Sequence, residues 1–142
     1  MLDVVIVGAG PAGLAAAIAA KARGMQYAVI EKGALVNSLL HYPTDMVFFT
    51  TPELLEIGGL PFMSPHDKPT RAEALNYYRK VVDAYDLQIC YGEKVTAVDQ
   101  SWMTGTTLAD SLRSQCLTPN RRRHRPLGIS TPKALSTTPA AP

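Results

Sequence analysis

The chain of 142 residues has 46% hydrophobic residues and a formal net charge of +2, which fits a single globular domain able to bury a core. It is too short for an enzyme with two complete dinucleotide-binding domains, and no apolar run approaches the roughly 20 residues of a membrane span. Asp3 and a glycine-rich loop interrupt the apolar start, so no secretory signal is indicated and we expect a cytoplasmic location.

The first element is a strand at Val4–Val7, which leads into the loop Gly8-Ala9-Gly10-Pro11-Ala12-Gly13. In such a loop Gly8 permits a tight turn, Gly10 lets the backbone approach a pyrophosphate, and Gly13 lets the next helix pack closely on the strand. The helix presents free amides and the positive end of its dipole to phosphates. The loop therefore predicts a dinucleotide site at the start of the chain.

A second apolar run, Tyr27–Ile30, ends in Glu31, an acidic residue 18 positions beyond Gly13. A dinucleotide-binding βαβ unit carries its acidic residue about 20 positions on, where it accepts hydrogen bonds from the adenine ribose. A carboxylate disfavours a 2′-phosphate, so NADP is not expected here. FAD and NAD both remain candidates on this fingerprint alone.

The stretch from Gly33 to Pro69 is rich in turn formers, and a helix follows it. Thr70 with Glu73 three residues later forms a capping box, which places the start of the helix. The helix is predicted to run to about Tyr85, with one face made of Leu75, Tyr78, Val82 and Tyr85.

Two short strands are predicted next, at residues 87–91 and 94–98, separated by Gly92 and Glu93. The order strand, helix, strand, loop, helix, strand predicts an α/β fold with a doubly wound sheet, that is, a Rossmann-like domain over residues 1–99.

Beyond residue 99 the pattern of apolar residues stops. Ser, Thr and Pro make up 17 of the 43 residues from 100 to 142, and this stretch contains six basic residues and one acidic residue. We predict a disordered tail, since such a segment buries too little apolar surface to offset its ordering entropy. The basic cluster at residues 121–125 lacks interleaved aromatics, which favours a solvated tail over a nucleic-acid site.

No catalytic residue and no metal site are predicted from the remaining polar residues. His41 and His66 have no partner in the sequence with which to move a proton. Cys90 lies in an alternating strand, where a small buried hydrophobe is favoured over a nucleophile.

Several further motifs follow the glycine loop in a fixed order: Glu31-Lys32-Gly33, Val36-Asn37-Ser38, His41-Tyr42-Pro43-Thr44, Phe48-Phe49, Leu55-Glu56-Ile57-Gly58, Lys68-Pro69-Thr70-Arg71 and Asn76-Tyr77-Tyr78-Arg79. With these motifs the chain resembles the N-terminal FAD-binding segment of the YpdA-type bacillithiol disulfide reductases, flavoproteins similar to thioredoxin reductase. The resemblance extends to about Val98.

This resemblance implies a reductase in which hydride passes from NADPH to FAD and then to a low-molecular-weight disulfide. It implies that the FAD pyrophosphate is lined by Gly8, Gly10, Pro11, Ala12 and Gly13. Glu31 would bind the adenosine ribose and Lys32 would flank it. Asn37 and Ser38 would lie on the pyrophosphate or flavin side, and the Val95 backbone would meet the adenine edge. Asn37 and Ser38 as turn residues, and Val95 as an ordinary strand residue, are the alternatives.

The chain departs from the family in two respects. Well-known members have a cysteine directly after the proline of the glycine loop, where this chain has Ala12. The family also continues with the rest of the FAD domain and a second glycine fingerprint for NADPH, neither of which follows Val98. We hypothesise that residues from about 100 onward are a frameshifted or misjoined frame appended to a truncated reductase, which resequencing across codon 100 tests.

Three functions remain open. The chain is the FAD-binding portion of a disulfide reductase and inactive alone, a stand-alone module that binds FAD or NAD without catalysis, or a fragment of another flavin enzyme such as a monooxygenase. Self-association is left open, and neither a membrane nor a nucleic acid is expected as a partner.

Overall fold

Three parallel strands organise the computed structural model, which describes residues 2–96. The elements in chain order are β1 (Val4–Val7), α1 (Pro11–Ala22), β2 (Tyr27–Glu31), α2 (Asn37–Leu40), a 3₁₀ turn at Pro52–Leu55, α3 (Arg71–Ala84) and β3 (Ile89–Tyr91). The predicted tail at residues 100–142, its basic cluster and its proposed frameshift lie outside the described residues.

The central strand of the sheet is β2, which pairs in parallel with β1 on one side and β3 on the other. Val5 lies opposite Ala28, and Ile30 lies opposite Cys90. Parallel strands require crossover connections, and here α1 joins β1 to β2 while α3 leads into β3. The predicted Rossmann-like α/β fold is confirmed.

The end of the sheet differs from the sequence prediction. Only Ile89–Tyr91 of the first predicted strand forms β3, and residues 94–96 of the second predicted strand are not a strand. Gly92 has a φ of +81°, a conformation that ends a strand, and the Glu93 amide then donates to the carbonyl oxygen of Glu31 at 3.1 Å. The chain therefore turns across the end of β2, and residues 97–98 lie outside the described part.

One hydrophobic cluster joins both long helices to the sheet. Leu14 and Ala17 of α1 and Val29 of β2 are fully buried, as is Val81 of α3. Burying a side chain such as Val29 contributes about 1.5–3 kcal/mol. On the other face of β1, Val5 and Val7 remain 47% and 60% exposed, so the core lies on a single face of this strand.

The buried face of α3 lies about one residue earlier than predicted. Of the four residues expected on it, only Tyr78 is fully buried, and the observed face consists of Ala74, Tyr77, Tyr78 and Val81. Leu75 and Val82 are half-buried because they pack against the edge of the core and also border a cavity.

Tyrosine hydroxyls on α3 hold the segment 55–60 by its backbone. The Tyr77 hydroxyl donates to the carbonyl oxygen of Leu60 at 2.8 Å and accepts from the Ile57 amide at 2.9 Å. Tyr78 donates to the Leu55 carbonyl at 3.2 Å, and Tyr85 donates to that of Gly58. Burial raises the pKa of Tyr78 from its ordinary value of 10.0 to about 12, which extends the pH range over which its hydroxyl remains a donor into the alkaline region.

The predicted capping box at the start of α3 is confirmed. The Thr70 amide donates to Glu73 Oε2 at 2.7 Å, and the Glu73 amide donates to Thr70 Oγ1 at 3.3 Å. Ser64 Oγ adds a bond to Glu73 Oε1 at 3.0 Å. The Thr70 backbone N–H, then its hydroxyl and that of Ser64, hold the pKa of Glu73 below its ordinary value of 4.5.

This lowered pKa predicts a stability that depends on pH. Because the folded state favours the ionised carboxylate, its contribution is complete above about pH 4.5 and is lost as the pH falls through the folded-state pKa. We expect Glu73→Gln to lower the free energy of unfolding by about 1 kcal/mol at pH 7 and by less near pH 3. Urea denaturation at several pH values measures this.

The exposed Asp67 in the preceding loop provides a control. Asp67→Asn should leave the stability at pH 7 within about 0.5 kcal/mol of the original chain. A difference between the Glu73→Gln and original chains that stays constant from pH 7 to pH 3 would contradict the role of the ionised carboxylate.

Candidate dinucleotide-binding site

The glycine loop turns sharply between β1 and α1. Gly8 has a φ of +97°, which L side chains rarely adopt, and its amide donates to the carbonyl oxygen of Ile30 at 2.8 Å. A Cβ at Gly13 would overlap the backbone oxygen of Gly8, so the absence of a side chain there lets α1 begin directly against the loop.

Gly10 differs from Gly13 in its surroundings. A Cβ at Gly10 would meet no atom of the chain within 4 Å, and its φ of −80° is open to any residue. Neither backbone conformation nor packing within the protein therefore requires a glycine at this position. A side chain at this position would occupy the space in front of the loop, where the protein backbone could otherwise approach a ligand pyrophosphate.

The N-terminus of α1 presents its amides to this space. Its N-cap, Gly10, gives no side-chain cap, and the first turn contains no acidic residue. Pro11 has no N–H to leave unsatisfied, and the first intrahelical bond runs from the Leu14 amide to the Gly10 carbonyl at 2.9 Å. The amides of Ala12 and Gly13 are among the first N–H groups of the helix, which have no intrahelical partners. These amides and the positive end of the helix dipole favour binding of an anion at this end of α1.

Glu31 joins the glycine loop to the turn after β2. Its side chain is buried, with 5% of the residue exposed, and its two oxygens accept from the Ala9 amide and the Gly33 amide, each at 2.8 Å. A carboxylate oxygen has a second lone pair, so each oxygen can still accept a bond from a ligand hydroxyl. The sequence indicated the ligand role of Glu31 but gave no sign of these two backbone contacts.

The segment after β2 is tied to the loop as well. The Val36 amide donates to the Ala9 carbonyl at 3.0 Å, and Val36 has a φ of +45°. Asn37 Oδ1 accepts from the Ala34 amide at 3.4 Å and occupies the space that a Cβ on Gly33 would need. The Asn37 side chain therefore shapes the turn, whereas Ser38 is exposed beside Pro11 and Ala12.

Two cavities border the segment that follows β2. The α2 cavity, about 370 Å³, lies against the N-terminus of α1. Its lining includes Pro11, Ala12, Ser38, Phe48, Leu54 and Ile57. The β3 cavity, about 740 Å³, begins at Gly33 and Ala34 and reaches Tyr91. Tyr91 is the register partner of Glu31, and burial, followed by the charge of Glu31, raises the pKa of its hydroxyl.

Four other residues singled out in the sequence show no recorded contact with the glycine loop. Lys32 is exposed, and Val95 is half-buried two residues beyond the Glu93 contact with β2. Cys90 is half-buried, whereas the sequence favoured a small buried hydrophobe. His66 is exposed, with its Nδ1 3.7 Å from Glu73 Oε1, which is a contact of the capping box.

Two further types of feature are not found among residues 2–96. No group of three His, Cys, Asp or Glu side chains in this part of the chain could hold a metal ion. No helix of the described part is long and apolar enough to cross a membrane.

The parallel sheet, the glycine loop and the buried acidic residue at the end of β2 define a Rossmann-type dinucleotide-binding domain. The sequence model of the pyridine nucleotide-disulphide oxidoreductases matches residues 5–109. The chain belongs to this family.

Relatives within the family agree with the YpdA-type resemblance. Bacilliredoxin reductase Bdr of Bacillus subtilis is 51% identical over 78 residues, which are 55% of this chain and 24% of that protein. The structure of bacillithiol disulfide reductase Bdr (YpdA) from Staphylococcus aureus is similar with a TM-score of 0.69 and 41% identity, covering 70% of this chain and 31% of that one. The predicted similarity to YpdA-type reductases is confirmed.

A flavin-containing monooxygenase from Stenotrophomonas maltophilia is also similar. Its TM-score is 0.64 at 27% identity, covering 70% of this chain and 31% of that chain. The chain thus spans a third or less of the length of each of these relatives.

Proposed function

We propose that this chain binds FAD as the flavin-binding portion of an NAD(P)H-dependent disulfide oxidoreductase. The observation that carries the proposal is Gly10, which the fold does not require to be glycine; it is the N-cap of α1 and follows Ala9, whose amide binds the buried Glu31 carboxylate. Open space at that point fits a pyrophosphate. The bound flavin would supply an acceptor and donor of hydride.

The residues proposed to line the pyrophosphate are Gly8, Gly10, Pro11, Ala12 and Gly13. Glu31, whose oxygens each keep a free lone pair, would accept from the adenosine ribose hydroxyls. Lys32 would flank that ribose, Asn37 and Ser38 would border the pyrophosphate or flavin side, and the Val95 backbone would meet the adenine edge. A dinucleotide needs room beyond its pyrophosphate, and we propose that the α2 cavity at the N-terminus of α1 and the β3 cavity at the turn after Glu31 supply it.

We further propose that this chain binds FAD without turnover by itself. Its sequence contains one glycine fingerprint, and a hydride donor held against the flavin would need a site of its own. Ala12 stands where well-known members of the family have a cysteine, so a methyl group replaces a thiol beside the proposed pyrophosphate. Oxidation of NADPH with a disulfide acceptor, catalysed by this chain alone, would refute the absence of turnover.

The experiment that tests binding is reconstitution of the purified chain with FAD, followed by gel filtration and a visible spectrum. We expect the protein fraction to carry a flavin spectrum, with a dissociation constant measurable from quenching of the flavin fluorescence. A colourless protein that binds NAD instead would favour the stand-alone module.

Substitution of Gly10 provides a sharper test. We expect Gly10→Ala to weaken FAD binding by about tenfold or more, because the methyl group would project into the space proposed for the pyrophosphate. The free energy of unfolding should change by less than about 1 kcal/mol, since the new Cβ meets no protein atom and the loss of a glycine N-cap is offset by a less flexible unfolded chain. Unchanged FAD affinity in this variant would count against the proposed position of the pyrophosphate.

A flavin monooxygenase is the second candidate, favoured by the fold similarity to the Stenotrophomonas enzyme. The sequence identity favours the reductase, because it is 41–51% to the two Bdr proteins and 27% to the monooxygenase. Both candidates predict a yellow protein, so the choice between them rests on the reaction of the reduced flavin with a disulfide or with oxygen.

A further inference from the structure

Arg71, the first residue of α3, reaches across to the end of α2. Its Nε donates to the carbonyl oxygen of Leu39 and its Nη2 donates to that of Leu40, each at 2.8 Å. The last carbonyls of a helix have no intrahelical partner, and a cation is favoured at this end of the dipole. Arg71 thus caps the C-terminus of α2 from a position 31 residues away in sequence.

The helix α2 is weak by its own sequence. It has four residues and no side-chain cap at its N-terminus, well below the length at which an isolated helix is stable. It also begins after Val36, a β-branched residue held at a φ of +45°, which is an unfavourable conformation for such a side chain. The position of α2 is therefore set by its contacts with the rest of the fold.

The backbone at residues 69–71 bonds to the segment 46–48, which carries Phe48 of the α2 cavity. The Arg71 amide donates to the Met46 carbonyl at 2.9 Å, and the Phe48 amide donates to the Pro69 carbonyl at 2.9 Å. Phe48 and Ser38 both line the α2 cavity. Arg71 thus holds α2 through its side chain and Met46 through its backbone, while nearby Pro69 holds Phe48.

We infer that Arg71 is a positioning residue for the flavin site, which holds α2 and Ser38 at the proper distance from the glycine loop without touching the ligand. The inference rests on the proposed function, because it takes the α2 cavity as one side of the FAD site. A lysine could not replace the arginine fully, since an ammonium group is a point charge and lacks the planar fork that reaches both carbonyl oxygens.

Two measurements on the full chain test this inference. Hydrogen exchange without ligand should show the amides of residues 39–42, which bond within α2 and its C-terminal turn, exchanging about tenfold faster in Arg71→Gln. Amides of β2 should exchange as before. FAD titration should then show binding weakened by about tenfold or more, with Arg71→Lys between the Gln variant and the original chain.

The matched control is Arg23→Gln. Arg23 is exposed, and its guanidinium donates to the carbonyl of Ala19 in its own helix. This variant should leave both the exchange at residues 39–42 and the FAD affinity unchanged. If Arg71→Gln fails to fold, the exchange at residues 39–42 and the FAD affinity are compared between Arg71→Lys and the original chain instead.

The outcomes separate the inference from the proposed function. Unchanged exchange at residues 39–42 in Arg71→Gln overturns the capping role, whatever the chain binds. Faster exchange with unchanged FAD affinity overturns the link between α2 and the ligand. An original chain that folds but binds no FAD overturns the proposed function, while the exchange data still decide whether Arg71 holds α2.

Discussion

The Gly13→Ala variant is expected to lose about 2–3 kcal/mol of its free energy of unfolding, even though alanine is a better helix former than glycine. In an unobstructed helix interior the change would stabilise by about 1 kcal/mol. Here the new Cβ would overlap the Gly8 backbone oxygen, and neither group can move as a flexible side chain could. Forcing a methyl group into such a contact costs about 1–3 kcal/mol and at times more, so the overlap outweighs the gain in helix propensity.

Urea denaturation without ligand measures this effect directly. Gly10→Ala is the matched control, because the same substitution three residues earlier meets no protein atom. The two variants are expected to behave in opposite ways, with stability lost in the first and ligand affinity lost in the second while its stability is retained. Equal stability of the two variants would show that α1 can shift away from Gly8 without loss.

The second large effect is expected for Glu31→Ala in the absence of any ligand. The change leaves the Ala9 and Gly33 amides without the acceptors that they have at 2.8 Å. Each buried donor without a partner costs about 1–3 kcal/mol, and we expect a total of about 2–4 kcal/mol. Chemical denaturation of the apoprotein is the measurement.

Glu31→Gln tests the reason for this loss. Glutamine keeps one acceptor oxygen, but its amino group would face a second N–H donor, so an intermediate stability is expected. Glu93→Ala, at an exposed carboxylate near the same end of β2, is the control and should change the stability by less than about 0.5 kcal/mol. A Glu31→Ala protein as stable as the original chain would mean that the carboxylate serves the ligand alone.

The sequence predicts most of the fold because its strongest patterns are local. The run at Val4–Val7, the glycine loop and the Thr70–Glu73 capping box each specify their own backbone within a few residues. The helix face was predicted one residue too late because Leu75 and Val82 border a cavity, and no local pattern indicates that a cavity is present. Residues 94–96 do not form the beginning of the strand predicted at 94–98, because Gly92 and the Glu93 contact turn the chain just before them.

The sequence predicts only those residues of the proposed site that belong to a motif with a known spacing. Gly8, Gly10, Gly13 and Glu31 follow a known spacing, and the structure brings Glu31 to the loop through the Ala9 amide. Arg71 follows no such rule, since its partners are backbone carbonyls in a segment about 30 residues earlier. Any residue type supplies a carbonyl, so a contact of this kind leaves no pattern in the sequence.

The tyrosine hydroxyls of α3 bind the main chain of the segment 55–60, while its Leu55, Ile57 and Leu60 side chains pack against the core. These contacts together fix the route of the segment. Leu54, just before it, lines the α2 cavity and is 78% exposed, so it could be exchanged for other residues while the scaffold keeps its path. Variation at this position would change the chemistry of one cavity wall without rebuilding the wall, a means by which a single scaffold can be adapted to different substrates.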